Sequence, residues 1–454
     1  MNKLSFREKY SYGIGALGKD LAYAIVSYYL MVYFTDAVGL APAFVGTLFL
    51  VARMWDAFND PMMGMVVDNT QTKWGKFRPW IFIGTLLNAG VIVLLFKKTN
   101  LQGTARYAYY SVMYILWGMT YTIMDIPFWS MIPALTNDKE EREKISVIPR
   151  VFASTAWLII GSLGLTMIDK LGKGDTARGY ELLAICISVA FVLCTLVLMF
   201  NLKENVEVKG KKEKVNFKQT LAIMKNNDQL LVFIGIVLGM NLILQISGAA
   251  SLYYFKYVIG NEKLNQVFYA FSGIAEISGL MLFPILTKKI GRQKVFRIAS
   301  YLPIIGFALL FVFGMIAPTN GMFVGIAGAV YKLGSGMLLA STTVMLADVV
   351  DYGEYKLGTR NESIIFSAQT LLVKTASAFA GWLVGVGLSL FGYVPNATQS
   401  ATTILGLKIF MLGLPILCAI VMYVIYKNKY KINGEFHDKI LKSLQDKKES
   451  AEIV

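Results

Sequence analysis

Histidine is almost absent from this 454-residue sequence, which contains one, His437, near its C-terminal end. A histidine relay within an apolar segment and a histidine-rich metal site are both excluded, so carboxylates must carry any ion chemistry. Cysteine is nearly as scarce, and Cys186, Cys194 and Cys418 all fall within apolar runs. Neither a disulfide framework nor a CxxC metal site is supported by this distribution.

Charged residues are also few, at 16% of the chain, whereas hydrophobic residues make up 56%. Soluble domains carry about 25% charged residues, so this is the composition of a membrane protein. The net charge of +15 does not indicate nucleic-acid binding, because the basic residues are scattered over short segments between apolar runs. Basic loops facing the cytoplasm and anionic lipid explain the charge better. No P-loop, nucleophile elbow or zinc signature is present, so we expect no enzyme activity and no cofactor.

Apolar segments of about 20 residues, long enough to span a bilayer, can be placed twelve times along the chain. The sequence therefore predicts an all-α polytopic membrane protein. The excess of Lys and Arg in alternate segments predicts a multi-pass protein of the inner (cytoplasmic) membrane with both termini in the cytoplasm. We expect no cleavable signal peptide, because Lys19 and Asp20 interrupt the first apolar segment. The predicted spans are 11–34, 43–67, 79–97, 107–136, 147–168, 181–202, 229–258, 265–287, 296–316, 320–347, 364–391 and 404–426.

An internal repeat relates the two halves of the chain. YFTDAVG at 33–39 is followed one span later by TKWGKFRPW at 72–80. YFKYVIG at 254–260 is followed, again one span later, by TKKIGRQKVFR at 287–297. This repeat predicts two pseudo-symmetric six-helix bundles, with a site between them near mid-membrane. The expected segments are an N-terminal bundle at 1–202, a cytoplasmic central loop at 203–228, a C-terminal bundle at 229–427 and a cytoplasmic tail at 428–454.

Two carboxylates interrupt the second span, where the sequence reads MWDAFNDPMMG. A charged residue near the bilayer centre costs at least about 2.5–3.5 kcal/mol, so Asp56 and Asp60 need a use. Their spacing places both on one helix face, with Asn59 beside them. Such an oxygen-rich face suits Na⁺, Li⁺ or H⁺. The alternative is a salt-bridge network with Arg53 and Lys374 that merely locks the helices together.

The fourth span carries a second polar face. Tyr121, Asp125 and Trp129 recur every four residues and therefore share one side of a helix, flanked by Thr122. A carboxylate accepts hydrogen bonds from neighbouring hydroxyls while an aromatic ring covers the C–H face of a pyranose. This combination is typical of sugar binding. Further donors and acceptors are expected from the first and fifth spans, at Lys19, Asp20 and Arg150.

Two features of the second half remain open to more than one interpretation. Lys374 is a positive charge on a flexible stem that could approach the acids when the halves close, or could snorkel toward the membrane interface. The stretch ADVVDYGEYKLGTR at 347–360 is predicted to be a loop, acting as a gate or simply solvated.

A family resemblance is carried by LSFREKYSYGIGALGKDLAY, YYLMVYFTDAVGL, VGTLFLVARMWDAFNDPMMG, WGKFRPW, YTIMDIPFWSMIPALT, DVVDYGEYK and FGYVPNATQS. These motifs occur in this order over nearly the whole chain. In them the sequence resembles the melibiose carriers of the glycoside-pentoside-hexuronide:cation symporter family. The resemblance implies a major-facilitator fold and cotransport of a galactoside such as melibiose with Na⁺, Li⁺ or H⁺.

Carried over position by position, the resemblance also implies the site residues. The partners expected are a small-molecule sugar, a monovalent cation and the lipid bilayer, with no nucleic acid and a monomer as the functional unit. The implied cation site consists of Asp56, Asn59, Asp60 and Thr122. The implied sugar contacts are Lys19, Asp20, Tyr121, Asp125, Trp129, Arg150, Val373 and Lys374.

Two other functions stay open. The same fold could carry another glycoside, pentoside or hexuronide, or an amphiphilic lipid, although a lipid cleft would need fewer charges than the first, fourth and fifth spans contain. The second is a sugar sensor that does not transport. Against it, the sequence contains no recognisable signalling domain and has all the intramembrane acids that the transport function would use.

Overall fold

The computed structural model describes residues 4–135, 139–204, 226–358 and 362–452. Within these ranges the regular secondary structure is helical. A helix satisfies its backbone hydrogen bonds internally, as a segment surrounded by lipid must. The basic stretch KGKKEK of the predicted central loop lies outside the described residues.

Each of the twelve predicted spans coincides in the main with a helix, which confirms the all-α polytopic prediction. The first half contains α1 (Phe6–Val32), α2 (Pro42–Asp68), α3 (Arg78–Leu95), α4 (Gly103–Ser130), the short α5 (Ile132–Leu135), α6 (Lys139–Gly172) and α7 (Thr176–Asn201). The second half contains α8 (Asp228–Tyr253), α9 (Lys263–Ile290), α10 (Arg292–Ile316), α11 (Gly321–Leu357), α12 (Glu362–Leu390), α13 (Ala401–Lys408), α14 (Leu414–Lys429) and the tail helix α15 (Glu435–Glu452). A π-helical turn, Ile409–Gly413, joins α13 and α14 into one span.

Among the described residues, nine helices are long and apolar enough to cross a membrane by length and composition alone. Helices α1, α2 and α4 do not belong to that set. These three carry most of the ionisable residues singled out in the sequence, which contributes to their lower apolarity.

The internal repeat has the same backbone conformation in both halves. Helix α1 continues into a π-helical turn over Tyr33–Ala37, and α8 continues into one over Tyr254–Ile259. A glycine in the left-handed region follows each turn, Gly39 with φ 79° and Gly260 with φ 78°. Glycine adopts this conformation without the steric cost that a Cβ imposes. The motif YFxxxxG therefore encodes one helix ending that the chain uses twice.

The prediction of a loop at 347–360 was wrong for most of that stretch. Helix α11 continues to Leu357 and ends where Gly358 takes up the left-handed conformation, with φ 72°. Val349 and Val350 are fully buried. Packing of this apolar face against the core outweighs the polar composition that suggested a loop.

The described residues form two compact units. One comprises those within Met1–Gly210, Ser251–Gly273 and Gly381–Gly406, and the other those within Lys211–Ala250, Ile274–Ala380 and Leu407–Val454. The first unit holds the candidate site residues of α1, α2, α4 and α6. The second unit holds α10, α11 and the tail helix.

A carboxylate-centred cluster joins three segments of the first unit. Oδ2 of Asp36 accepts hydrogen bonds from Nζ of Lys256 and from the hydroxyl of Tyr257, both at 2.6 Å. Oδ1 of Asp36 accepts from the hydroxyl of Tyr393, and its backbone carbonyl accepts from Nδ2 of Asn396 at 2.7 Å. Asp36 lies in the first copy of the repeated motif, and Lys256 and Tyr257 lie in the second. We call this set the Asp36 cluster.

The polar tail packs against α11 within the second unit through its helix α15. Ile440 is fully buried and Leu444 is 8% exposed. The ring of Phe436 lies 6.2 Å from that of Tyr352 on α11. Nε2 of His437 lies 3.2 Å from Oδ1 of Asp348, so the histidine belongs to a docked helix.

Candidate binding site

A buried lysine organises the first group of site residues. The side chain of Lys19 on α1 is 4% exposed, and its Nζ lies 3.0 Å from Oδ2 of Asp20 and 2.9 Å from Oδ1 of Asp125 on α4. Close packing of α1 on α7 supports this position, because a Cβ at Gly18 would lie 2.6 Å from Cβ of Cys194. Two acids thus surround one base, and the three groups together carry one negative charge.

The carboxylate oxygens nearest to the ammonium retain capacity to accept hydrogen bonds. Oδ2 of Asp20 and Oδ1 of Asp125 are buried, yet neither accepts an aligned hydrogen bond from the described residues. Each of these oxygens forms an ion pair with Nζ of Lys19, which offsets the cost of burying it. A carboxylate oxygen has more than one lone pair, so it can accept a further hydrogen bond. A ligand hydroxyl could donate that bond.

Aromatic rings enclose the same ammonium. Nζ of Lys19 donates to the hydroxyl of Tyr121 at 3.4 Å and lies 5.7 Å from the centre of that ring. It lies 5.4 Å from the ring of Phe128 and 5.1 Å from that of Trp129. Ring faces attract a cation at these distances. Tyr121, Asp125 and Trp129 therefore all reach Lys19, as their shared face on α4 requires. We call Lys19, Asp20, Tyr121, Asp125, Trp129 and Trp157 the sugar cluster.

Trp157 on α6 belongs to this cluster, although the sequence did not single it out. Its Nε1 donates to Oδ1 of Asp20 at 3.2 Å. Its ring lies 5.2 Å from the ring of Tyr28 in an edge-on arrangement and 5.9 Å from that of Tyr23. The signal available in the sequence was its position two helical turns after Arg150, on the same helix face.

Asp56 on α2 is paired with a base on its own helix. Its side chain is 5% exposed, and Oδ2 accepts from Nη1 of Arg53 at 2.8 Å. Oδ1 faces Gly118 on α4, where a Cβ would lie 3.3 Å from this oxygen. This ion pair is one of the contacts expected of a salt-bridge network with Arg53 and Lys374, the alternative to a cation site.

Asp60 lies one turn further along α2. The hydroxyl of Thr122 on α4 donates to its Oδ1 at 3.1 Å. Asn59 is half-buried, and its Nδ2 has no hydrogen-bond partner among the described residues. With Asp56 and Arg53 these groups form what we call the cation cluster. The cluster combines two acids, one base, a hydroxyl and an amide, so oxygen ligands for a cation lie beside a positive side chain.

The remaining predicted site residues are Arg150, Val373 and Lys374. Arg150 is exposed on α6. Val373 and Lys374 lie on α12 in the second unit, where Val373 is 36% exposed and Lys374 is half-buried.

The second unit has a charge pair of its own. Nζ of Lys332 on α11 lies 2.8 Å from Oε2 of Glu276 on α9. Their side chains are 14% and 27% exposed. Each charge thus meets its opposite, as ionisable groups inside a membrane protein are expected to do.

The sequence is similar to proteins of one family over nearly its whole length. A model of the family described as MFS/sugar transport protein matches residues 11–434. The isoprimeverose transporter of Lactiplantibacillus pentosus is 30% identical over 448 residues, which cover 96% of this chain and 92% of that protein. The lactose permease of Lactobacillus helveticus is 28% identical over 485 residues, which cover 100% of this chain and 74% of that protein.

The fold is similar to that of solved membrane transporters. The crystal structure of the nucleoside transporter NupG superposes with a TM-score of 0.66 and covers 93% of this chain and 100% of that one. The sequence identity is 14%, so this likeness concerns the fold alone.

Proposed function

The chain belongs to the MFS/sugar transport protein family, and on that premise we propose that it moves a galactoside, melibiose-like in structure, together with Na⁺, Li⁺ or H⁺. It is a multi-pass membrane transporter with the major-facilitator fold, a sugar symporter and not an enzyme.

The sugar cluster is the observation that carries the proposal. Asp20 and Asp125 offer buried acceptor oxygens beside the ammonium of Lys19. The half-buried Trp129 provides an aromatic face next to them. Hydroxyl groups bind the carboxylates while the ring packs on the apolar face of the sugar. The relatives named for isoprimeverose and for lactose support a glycoside as the substrate. Because lactose is a galactoside, the second of them also supports a galactoside in particular.

The cation cluster supplies the coupling. A monovalent cation would bind the carboxylate of Asp60, the hydroxyl of Thr122 and the amide of Asn59, and would compete with Arg53 for Asp56. Cation binding that favours the sugar-binding conformation raises sugar affinity, and the sugar then raises cation affinity by the same factor. Three further sugar contacts belong to the proposal: Arg150, from its position in the fifth span and the family resemblance, and Val373 and Lys374 from the resemblance.

We further propose that residues 1–202 and 229–427 act as the two pseudo-symmetric halves of an alternating-access transporter. In this proposal both termini, and with them the tail from 428 onward, lie in the cytoplasm. The distribution of Lys and Arg supports this orientation.

Uptake of labelled melibiose into membrane vesicles tests the proposal. Imposed gradients of Na⁺, Li⁺ or H⁺ are expected to drive accumulation, and Asp60→Cys is expected to abolish the stimulation while leaving some sugar binding. Asp175→Asn is the matched control, because Asp175 is the N-cap of α7 and asparagine caps a helix equally well. Uptake that ignores all three gradients would refute symport. Gradient-driven uptake of a xyloside or glucuronide in place of melibiose would refute the galactoside alone.

A further inference from the structure

The guanidinium of Arg53 holds two groups at once. Its Nη1 donates to Oδ2 of Asp56 at 2.8 Å, and its Nη2 donates to the hydroxyl of Tyr23 on α1 at 3.1 Å. The guanidinium is planar and rigid, so its two arms move together. The bond to Tyr23 therefore helps to fix the angle at which Arg53 meets Asp56. The side chains of Arg53 and Asp56 are 13% and 5% exposed, so little water competes for these bonds.

The surroundings of Arg53 restrict how it can move. Its Cζ lies 5.9 Å from the centre of the Tyr23 ring and 5.7 Å from that of the Trp117 ring. The two ring centres are 5.6 Å apart. A guanidinium attracted by two aromatic rings retains those contacts when it gives up a carboxylate. Arg53 therefore stays in contact with Tyr23 when it releases Asp56.

The ring of Tyr23 reaches the sugar cluster. Its centre lies 5.1 Å from that of Tyr121 and 5.9 Å from that of Trp157. Tyr121 accepts a hydrogen bond from Lys19, and Trp157 donates one to Asp20. Tyr23 thus has its hydroxyl in the cation cluster and its ring against two residues that hold the sugar cluster.

We propose that Tyr23 is the positioning residue that couples the two clusters, an inference that rests on the proposed symport function. Without a bound cation, Arg53 neutralises Asp56. A monovalent cation bound between Asp56 and Asp60 brings a second positive charge beside the guanidinium, and the two repel each other. Arg53 then leaves Asp56, and the Tyr23 hydroxyl moves with it.

The movement reaches the sugar cluster through the ring. A shift of Tyr23 changes its packing against Tyr121 and Trp157, and so changes how firmly these two residues hold Lys19 and Asp20. Packed aromatic side chains transmit such a shift because the interior is dense. Cation occupancy therefore alters sugar affinity without a direct contact between the two ligands.

The test is the binding of nitrophenyl α-galactoside to the full-length protein in lipid nanodiscs, with and without saturating Na⁺ or Li⁺ and at two pH values. The ratio of the dissociation constants without and with the cation measures the coupling, which between two sites is typically about 5–150-fold. Tyr23→Phe keeps the ring and removes the hydroxyl. We expect its ratio to fall below about 2, while its affinity without cation stays close to that of the wild type.

Two further variants make the test specific. Tyr29→Phe is the matched control, because Tyr29 is a buried tyrosine of the same helix whose hydroxyl donates to the carbonyl of Ile160 at 2.8 Å. It should keep the wild-type ratio. Arg53→Lys retains a charge that can reach Asp56 but lacks the fork that also holds Tyr23. The ratio of dissociation constants should fall in Arg53→Lys as it does in Tyr23→Phe. The variant that combines both substitutions should show no further fall.

Four outcomes would contradict the role inferred for Tyr23. A wild-type ratio retained in Tyr23→Phe overturns the inference and leaves symport standing. Loss of galactoside binding in Tyr23→Phe, with its cation-induced rise in melting temperature intact, also overturns it, because Tyr23 would then be a sugar contact. A wild-type ratio of one for every cation refutes the proposed function and this inference with it. If Tyr23→Phe does not fold, Arg53→Lys alone carries the test, and an unchanged ratio there overturns the inference.

Discussion

The ion pair between Asp36 and Lys256, 2.6 Å long, joins the two copies of the repeated motif. The side chain of Asp36 is 7% exposed and that of Lys256 is 26% exposed. Two tyrosine hydroxyls, those of Tyr257 and Tyr393, donate to the same carboxylate. The two copies of the repeat thus give two helices the same ending, and they also supply the two charges of this ion pair.

Asp36→Asn should destabilise the protein. Removing one charge of a buried pair leaves the other uncompensated, which costs about 3–5 kcal/mol. We expect a clear fall in the melting temperature in detergent. Lys256→Met should cost a similar amount, and the double variant less than the sum of the two, because the charges interact directly. Additive effects would contradict a direct pair.

The Asp36 cluster should also weaken at alkaline pH. Burial raises the pKa of Tyr393 well above its usual value of 10, and neighbouring Tyr253 and Asp36 raise it further. A raised folded-state pKa contributes stability that is fully present below the unfolded pKa and is lost as pH rises above it. The stability difference between the wild type and Tyr393→Phe should therefore stay constant from about pH 7 to 9 and shrink above about pH 10. A difference that grows with pH would contradict this assignment.

Lys19 should matter more for stability than either of its acids. Lys19→Met leaves the buried Asp20 and the partly exposed Asp125 without a base, and an uncompensated buried charge costs about 3–5 kcal/mol. Asp125→Asn leaves the pair of Lys19 and Asp20 intact, so its melting temperature should fall much less. Thermal unfolding of the two variants side by side checks this order. An equal or larger loss in Asp125→Asn would show that Lys19 does not organise the cluster.

Trp157→Phe should weaken sugar binding specifically. It retains an aromatic ring and removes the Nε1–H that donates to Asp20. A hydrogen bond to a charged group is worth about 1.5–3 kcal/mol, so galactoside affinity should fall by about tenfold or more. Cation affinity, read from the cation-induced shift in melting temperature, should not change.

Trp80→Phe is the matched control for that variant. It removes an indole N–H that donates to Thr70 at 2.8 Å, outside both clusters. Galactoside affinity should stay at the wild-type value. Equal losses in the two tryptophan variants would indicate a general effect on folding.

How far the sequence could predict the site depends on helix geometry. Spacing on one helix was sufficient for Tyr121, Asp125 and Trp129, because residues four apart share a face whatever surrounds them. Contacts between helices were not predictable in this way, so Trp157 was missed. Spacing also could not decide between Arg53 and a cation as the partner of Asp56, because that choice depends on side-chain rotamers.

The fold was predictable for a similar reason, and its one clear error is instructive. Apolar length locates most of the membrane helices, although α1, α2 and α4 are less apolar than the nine that meet this criterion among the described residues. The end of α11 was missed because its polar residues suggested a loop, whereas the buried face that includes Val349 becomes evident only with its packing partners.

Thr122→Val should weaken cation binding more than sugar binding. The variant keeps the shape of the side chain and removes the hydroxyl that donates to Asp60 at 3.1 Å. A single neutral ligand or hydrogen bond is worth about 0.5–1.5 kcal/mol, so the cation concentration for half-maximal uptake should rise by about 2- to 12-fold. Ser111→Ala on the same helix removes a hydroxyl that donates to the carbonyl of Tyr107 at 2.8 Å, and it should leave that concentration unchanged. Sugar affinity at saturating cation should be close to that of the wild type in both variants. If Thr122→Val instead lowered sugar affinity at saturating cation and left the cation dependence intact, Thr122 would belong to the sugar cluster and the division between the two clusters would be wrong.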